Sequence, residues 1–414
     1  MASDVSESCQ PYSSSADLLQ AEVVAFLESG RAFNGEVPRR VDTHAASIFL
    51  VGDRAWKLKR AVRFPYLDFS TAKKRQNALN RELRLNRRTA ADVYIAVRPV
   101  TCESSGRLAL DGQGSPVDWL LEMRRFPDGS LLSEVADREA LTTPLLMRLA
   151  ERIQLLHVAA PIARVSEGAR RMSRIIDANY AAGQSYSSLL DPARVSRLVS
   201  THRQLLQRDA DQLDRRGAQG RIRFGHGDLH MHNIALLDGE PILFDCLEFN
   251  DDLATVDTLY DLSFLLMDFW RRGSKREANI VFNRYFDLSP DDEDSVGLLP
   301  LFMSVRALIR AHVCAAQSVQ HDHSPDLTAE ARHCLELAEG LLDPAKTMLL
   351  AVGGLSGTGK STVAREVGGK IGRAPGARII RSDVVRKRLL GLPPEARLPP
   401  VSYTPASSTV VYTE

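Results

Sequence analysis

The sequence predicts an α+β chain in two lobes, a small β-rich one and a larger helical one, followed by the start of an α/β segment. Three observations predict this. Hydrophobic alternation of period two prevails from about Ala46 to Phe126, and helical spacing dominates from Ser130 to Asp343. Near residue 346 the pattern resets to an apolar run, a glycine loop and a helix.

The elements follow in order. Residues 1–15 are polar and read as disordered. In "SADLLQAEVVAFLES", Leu18, Leu19, Val23, Val24 and Leu27 share one helical face. "SIFLVGDRAWKLKRAV" reads as two strands joined by a turn at Gly52-Asp53. A strongly basic helix, "STAKKRQNALNRELRLNRRTA", follows with Ser70 as its cap. "DVYIAVRPVTC", "GRLALDG" and "VDWLLEMRRF" are further strands. Beyond Ser130 the clearest amphipathic stretch is "TTPLLMRLAERIQLLHVAA"; helices are also expected at Thr255–Arg271, Leu299–Gln317 and "LTAEARHCLELAEGLL". The expected organisation is a disordered tail (1–15), a β-rich lobe with a leading helix (16–126), a helical lobe (127–345) and the segment 346–414. No internal repeat is visible.

At 414 residues, with 44% hydrophobic and 25% charged content, the composition is that of a globular protein. Lys+Arg 53 balances Asp+Glu 52, so neither a nucleic acid nor a membrane is expected as partner. The cysteines (Cys9, Cys102, Cys246, Cys314, Cys334) are scattered and never in a CxxC pair, which argues for a reducing compartment and against a structural zinc. "MASDVSESCQPYSSSADLLQ" lacks the apolar core of a secretory signal, and "LYDLSFLLMDFW" is too short and acidic to span a bilayer. A cytoplasmic location is expected. Oligomeric state is not legible.

The chemistry concentrates in "RFGHGDLHMHNIALLDGEPILFDCLEF". Asp228 and Asn233 are five residues apart, and Asp245 ends the apolar run "PILFD". Phosphoryl transfer needs a carboxylate to orient the attacking hydroxyl and oxygen ligands to hold Mg²⁺ against the phosphates, and this spacing suits those roles. A transition-metal site on His226, His230 and His232 competes. Gly227 and the short flanking apolar runs argue against the helix it would need, and no cysteine is nearby. Taken alone, the stretch also fits a hairpin whose Asp and Asn only form turns.

The rest of the chain weighs against the hairpin. A phosphate-holding lysine on an upstream strand and a helix glutamate to orient it are also required. "AWKLKR" offers Lys57, with Lys59 on the same strand face, and the basic helix offers Glu82. Each alone reads as a solvated charge. The order Lys, Glu, Asp…Asn, Asp is harder to obtain by chance.

On these residues, the stretch from about 40 to 320 resembles the aminoglycoside phosphotransferase/choline kinase family, the small-molecule branch of the protein-kinase fold. "HGDLHMHN" is similar to that family's HGDxxxxN loop and "ILFDCLEF" to its metal-binding segment. The resemblance implies Asp228 as catalytic base, Asn233 and Asp245 as Mg²⁺ ligands, Lys57 as the phosphate-binding lysine and Glu82 as its partner. It implies a hinge beside the adenine in "LLEMRRF", at Glu122 and Met123, and a supporting role for His226. Glu248 would add a further carboxylate. No Gly-x-Gly-x-x-Gly loop precedes Lys57, which disfavours a protein kinase.

The third signal is "GLSGTGKS", Gly354–Ser361, a full match to GxxxxGK[ST] between an apolar run and a helical one. Backbone N–H groups around Gly354, Gly357, Thr358, Gly359 and Thr362 would cradle phosphates, with Lys360 reaching them and Ser361 ligating Mg²⁺. "ARIIRSDVVRKRLLGL" reads as a strand ending at Asp383 and a helix. It resembles P-loop kinases of the zeta-toxin type, which implies Asp383 as a base and Arg386 as a substrate contact, although Asp383 equally suits a helix cap. About 70 residues are too few for such a domain, so the segment is expected to be incomplete and weakly ordered. Together these signals predict an ATP- and Mg²⁺-dependent kinase acting on a small-molecule hydroxyl. The alternative is a catalytically weak nucleotide-binding protein. The acceptor is not legible. "DLSPDDEDSVG" is a candidate acidic patch for a polycation or simply an exposed loop.

Overall fold

The computed structural model describes residues 15–413 apart from His44, residues 65–66, residues 164–165 and Ser356. The expected disordered tail thus falls almost wholly outside the described residues, as does Ser356 of the glycine loop. The chain divides into two compact units. Unit 1 comprises Met1–Asp128 and Phe244–Asp251; unit 2 comprises Gly129–Leu243 and Asp252–Glu414.

Unit 1 starts with α1 (Ser15–Glu28) and continues through β1 (Arg39–Asp42), β2 (Ala46–Val51) and β3 (Arg54–Lys59). A small ladder of β4 (Arg63–Phe64) and β5 (Leu67–Asp68) leads into α2 (Ala72–Asn86), then β6 (Tyr94–Cys102), β7 (Leu108–Leu110) and β8 (Ser115–Arg124). Six strands form one antiparallel sheet in the order β1-β2-β3-β8-β6-β7. Phe49, Leu58, Val100 and Leu120 line one sheet face, where Val23, Phe26 and Leu27 of α1 close an apolar core. Strand alternation turns Lys57 and Lys59 the other way.

The α2 helix is mounted by polar groups. Its buried positions are Arg75, Leu79, Glu82 and Asn86, spaced as one helical face. Arg75 grips Asp118 of β8 with two hydrogen bonds of 2.8 Å, and Gln20 of α1 donates to the same carboxylate at 3.0 Å. The cap is Thr71, whose side chain accepts from Lys74 N, not Ser70, whose hydroxyl is taken by Asp68 at 2.6 Å. A strand at 39–42 was not foreseen; its four residues are all exposed, so no burial pattern marks it.

Unit 2 is mainly helical: α3 (Leu132–Asp137), α4 (Thr143–Ala159), α5 (Gly168–Ser185), α6 (Pro192–Arg208) and α7 (Ala210–Ala218) precede β9 (Ile222–Phe224), β10 (Ile234–Leu237) and β11 (Glu240–Leu243). After α8 (Asp251–Ala254), residues 255–257 form β12 (Thr255–Asp257), paired with β9, where a helix was expected. Then come α9 (Thr258–Arg271), α10 (Lys275–Leu288), α11 (Leu299–Gln320) and α12 (Pro325–Gly340). Helix α9 is buried on every side from Thr258 to Phe269 and forms the centre of the unit. The stretch Pro290–Gln320 is long and apolar enough to cross a membrane, but 72% of its most apolar 18-residue window is buried inside the fold, as in a core helix.

The C-terminal segment departs from expectation. Helices α13 (Lys360–Gly368), α14 (Ser382–Leu389) and α15 (Pro405–Thr413) form, yet no strand occurs among the described residues of 346–414. Leu349 is 96% exposed, so the apolar run meant for a strand has no ladder to join. The α/β layer read from this region does not form among its described residues. The segment instead docks as irregular chain on α10, where Asn279 Nδ2 donates to Pro375 O and Ala377 O at 3.1 and 2.9 Å.

One buried ion pair gives a test of unit 1. Asp118→Ala would leave the Arg75 guanidinium, 3% exposed, without its carboxylate. The expected loss is about 3–5 kcal/mol, read as a lowered denaturation midpoint.

Candidate active site

In unit 1 the two lysines of β3 converge on one carboxylate. Lys57 Nζ lies 2.7 Å from Glu82 Oε1 and Lys59 Nζ lies 2.6 Å from Glu82 Oε2. Each lysine has a second partner from the segment Phe244–Asp251: Asp245 at 2.7 Å for Lys57, and Glu248 at 2.6 Å for Lys59. Burial opposes the charge on Lys57, but Asp245 and Glu82 outweigh it and hold the ammonium well above its ordinary pKa. Burial pushes the Glu248 carboxyl up, with Lys59 opposing. The side chain of Asp245 remains 39% exposed. Its backbone is left-handed, at φ 60°, a conformation uncommon outside glycine but tolerated by aspartate. Neighbouring groups fix it there: Asp245 N donates to the Tyr94 hydroxyl at 3.1 Å, and Cys246 N to Asn86 Oδ1 at 2.8 Å.

The expected hinge residues are placed differently. Glu122 and Met123 lie inside β8, which pairs with β3 on one edge and β6 on the other. The Glu122 carboxylate is held by Arg98 at 3.0 Å and Arg54 at 3.4 Å. Their backbones serve the sheet ladder, so a hinge contact would have to come from beyond Arg124.

In unit 2, the loop from Gly225 to Asn233 links β9 to β10 and is held at several points. Asp261 of α9 accepts from His226 N at 2.7 Å and Gly227 N at 3.0 Å. Asp268, two turns along the same helix, accepts from Met231 N at 3.0 Å, while Arg306 of α11 donates to Gly227 O at 3.3 Å. Leu229 and Met231 are fully buried anchors. A Cβ on Gly225 would lie 2.5 Å from Asp261 Oδ2, so a side chain there would displace the carboxylate that fixes the loop. Gly227 sits at φ 82°.

This frame presents Asp228 with its side chain 41% exposed. Burial of the surrounding loop opposes its ionisation, but His230, His226 and Arg306 hold the carboxyl far below the usual range. Asn233 Nδ2 donates to Asp228 Oδ2 at 2.9 Å, and His230 Nε2 lies 3.3 Å from the same oxygen. His226 is buried at the start of the loop. Donor atoms of His230, His232 and Asp268 lie within 4.8 Å of one another, so the histidines considered for a metal do cluster, with Asp268 and without His226.

The glycine loop of 354–361 reaches α13 through Gly357 and Gly359, at φ 81° and 84°. Gly354 is also in a positive-φ conformation, and Thr362 N donates to Gly359 O at 2.9 Å in the first turn of α13. Lys360 Nζ turns back onto the carbonyls of Gly354 and Leu355 at 2.9 and 2.6 Å, and Thr358 donates to Leu355 O at 2.8 Å. Ser361 faces the docked side, near Asp287 and Arg381. Asp383 lies in the first turn of α14 instead of at a strand end, bound by Lys387 at 2.7 Å and Tyr403 at 2.8 Å. Arg386 is buried against the Tyr403 ring. The acidic stretch at 287–294 is largely neutralised: Asp287 and Glu293 bind Arg378, while Asp292 binds Arg216 at 2.7 Å.

Sequence reasoning missed Asp261, Asp268, Arg306 and Tyr94. The first two had a visible signal, since they are the only carboxylates in the apolar run of α9. Asp261 gives a pH test. Burial would raise its pKa, but its contacts with His157, His226 and Arg306 win and lower it to about 2, against 3.8 unperturbed. Its stabilising contribution is therefore complete above pH 3.8 and disappears as pH falls towards about 2. Melting temperatures of wild type should fall through that window, and Asp261→Asn should flatten the fall.

Residues 46–299 match the profile of the phosphotransferase enzyme family. Uncharacterised proteins of Mycobacterium tuberculosis and Mycobacterium bovis are each 32% identical over 364 residues, spanning 84% of this chain and 68% of theirs. Among solved structures, a choline/ethanolamine kinase family protein from Mesorhizobium loti aligns over 79% of this chain and 95% of its own, at 12% identity and a TM-score of 0.46. The matched stretch runs from the start of β2 to the start of α11 and includes Lys57, Glu82, Asp228, Asn233 and Asp245; the chain belongs to the phosphotransferase enzyme family.

Proposed function

We propose that the chain transfers the γ-phosphoryl group of ATP to a hydroxyl of a small molecule. The observation that carries this reading is Asp228: an ionised, 41% exposed carboxylate on a loop fixed by Asp261, Asp268 and Arg306. A carboxylate so placed can accept a hydrogen bond from an attacking hydroxyl and orient it. Its low pKa suits it to positioning and late proton acceptance more than to early abstraction. Lys57, kept charged by Asp245 and Glu82, is assigned to the nucleotide phosphates, and Lys59 to holding Glu248. The same residues suit a hard divalent cation. Asn233 commits its Nδ2 to Asp228, which leaves Oδ1 as an oxygen donor, and Asp245 supplies a carboxylate. Each is an oxygen donor of the kind Mg²⁺ takes, and Mg²⁺ would neutralise charge on the phosphates. A cytoplasmic setting fits the four described cysteines, all free thiols.

Asp228→Asn preserves shape and the Asn233 contact. It should reduce ATP-dependent phosphorylation by about 100- to 10,000-fold while leaving the melting temperature near wild type. Unaltered transfer in a screen of sugars, amino alcohols and aminoglycosides would overturn the reading.

The glycine loop supports a second phosphate site. Its Lys360 lies against the loop's own carbonyls, where an incoming phosphate oxygen could replace them. Under this reading wild type binds two equivalents of a non-hydrolysable ATP analogue in equilibrium dialysis. Lys360→Ala should bind one and keep transferase activity.

A further inference from the structure

Four arginines surround the loop that carries Asp228, and three of them are matched by carboxylates. Arg271 binds Asp268 at 2.8 Å and also pairs with Glu330. Arg272 binds Asp137 at 2.7 Å, and Arg306 lies 3.9 Å from Asp261. The fourth, Arg310, has no partner among the described residues, and its Nε is buried without an acceptor. It lies one turn after Arg306 on α11 and is half-buried. The charges of His230, Arg310 and Arg272 all bear on the His232 imidazole of the loop, with Asp268 as the opposing charge. A buried guanidinium nitrogen without an acceptor is costly, and an oxyanion is the group that relieves it. Further unsatisfied nitrogens lie in the same cluster, at His230 Nδ1 and Arg272 Nε.

Resting on the proposed phosphotransfer, we infer that the acceptor carries an anionic group, a phosphate or a carboxylate, and that Arg310 receives it beside His232. A metal ion on His230, His232 and Asp268 is the competing occupant. Asp268 already accepts from Arg271 on one oxygen and from Met231 N on the other, and a cation there would face the unbalanced charge of Arg310. A polycationic acceptor meets the same repulsion, and the acidic stretch expected to serve it is neutralised by Arg378 and Arg216.

Binding to the full chain, with its nucleotide sites saturated by ADP, separates these outcomes. Isothermal titration would compare four ligands on one skeleton: glucose 6-phosphate, glucuronate, glucose and glucosamine. The anions should bind more tightly than the other two, and whichever of them binds better identifies phosphate or carboxylate. Arg310→Gln should weaken anion binding about tenfold or more, Arg310→Lys should recover part of it, and ADP affinity should not change. Equal or tighter binding of glucose or glucosamine, absence of anion binding, or anion binding unaffected by Arg310→Gln would each overturn the inference. So would Zn²⁺ binding that depends on His232 and is indifferent to the anions. Failure of the phosphotransfer reading looks different: wild type would transfer to no acceptor, or Asp228→Asn would leave transfer unaltered, while the Arg310 readout, which involves no chemistry, would stand.

Discussion

Glu82 is the constraint on which unit 1 depends. One fully buried carboxylate forms ion pairs with two ammonium groups from alternate positions of a single strand, at 2.7 and 2.6 Å. Two cations on one anion leave an excess charge in a low-dielectric setting, which would be untenable without further anions. Asp245 and Glu248 provide them from a segment more than 180 residues away in sequence. The requirement to neutralise Lys57 and Lys59 thus helps explain why Phe244–Asp251 belongs to the first unit, although the chain on either side of it belongs to the second. It also places Asp245 at the charge cluster with one end of its carboxylate exposed.

Unit 2 solves a related problem with backbone donors. A loop that holds a carboxylate partly open to solvent does not spend its N–H groups on a regular ladder, yet unpaired buried N–H groups are costly. Asp261 and Asp268, two turns apart on a helix otherwise packed in the core, accept those N–H groups and fix the loop. The rigidity of Asp228 is therefore set by residues that never need to touch a substrate.

Much of this was legible in the sequence. The alternation around Gly52-Asp53 gave β2 and β3. Lys57, Glu82, Asp228, Asn233 and Asp245 stood out because phosphoryl transfer calls for such side chains in that order, and the structure pairs Lys57 with Glu82 and Asp245, and Asn233 with Asp228. What stayed hidden depended on tertiary partners. Thr71 caps α2 because Asp68 occupies Ser70, a competition that local preference does not reveal. Glu122 and Met123 looked like a hinge because strand end and strand interior share one pattern; only the pairing of β8 on both edges separates them. The apolar run before the glycine loop had the composition of a strand, but a strand exists only by hydrogen bonding to a neighbour. Here that stretch has none, and the Asn279 amide holds the later part of the segment instead.

The return of Phe244–Asp251 to the first unit has a consequence for how the protein is made. While a ribosome has delivered only the first 128 residues, the sheet can assemble and α1 can cover its apolar face, but Lys57 and Lys59 share Glu82 alone. The charge balance of that unit arrives with residues 245 and 248, after the whole loop bearing Asp228 has been synthesised. The N-terminal unit is thus first in translation but not the first to be electrostatically complete, and its final consolidation belongs to a late stage of synthesis.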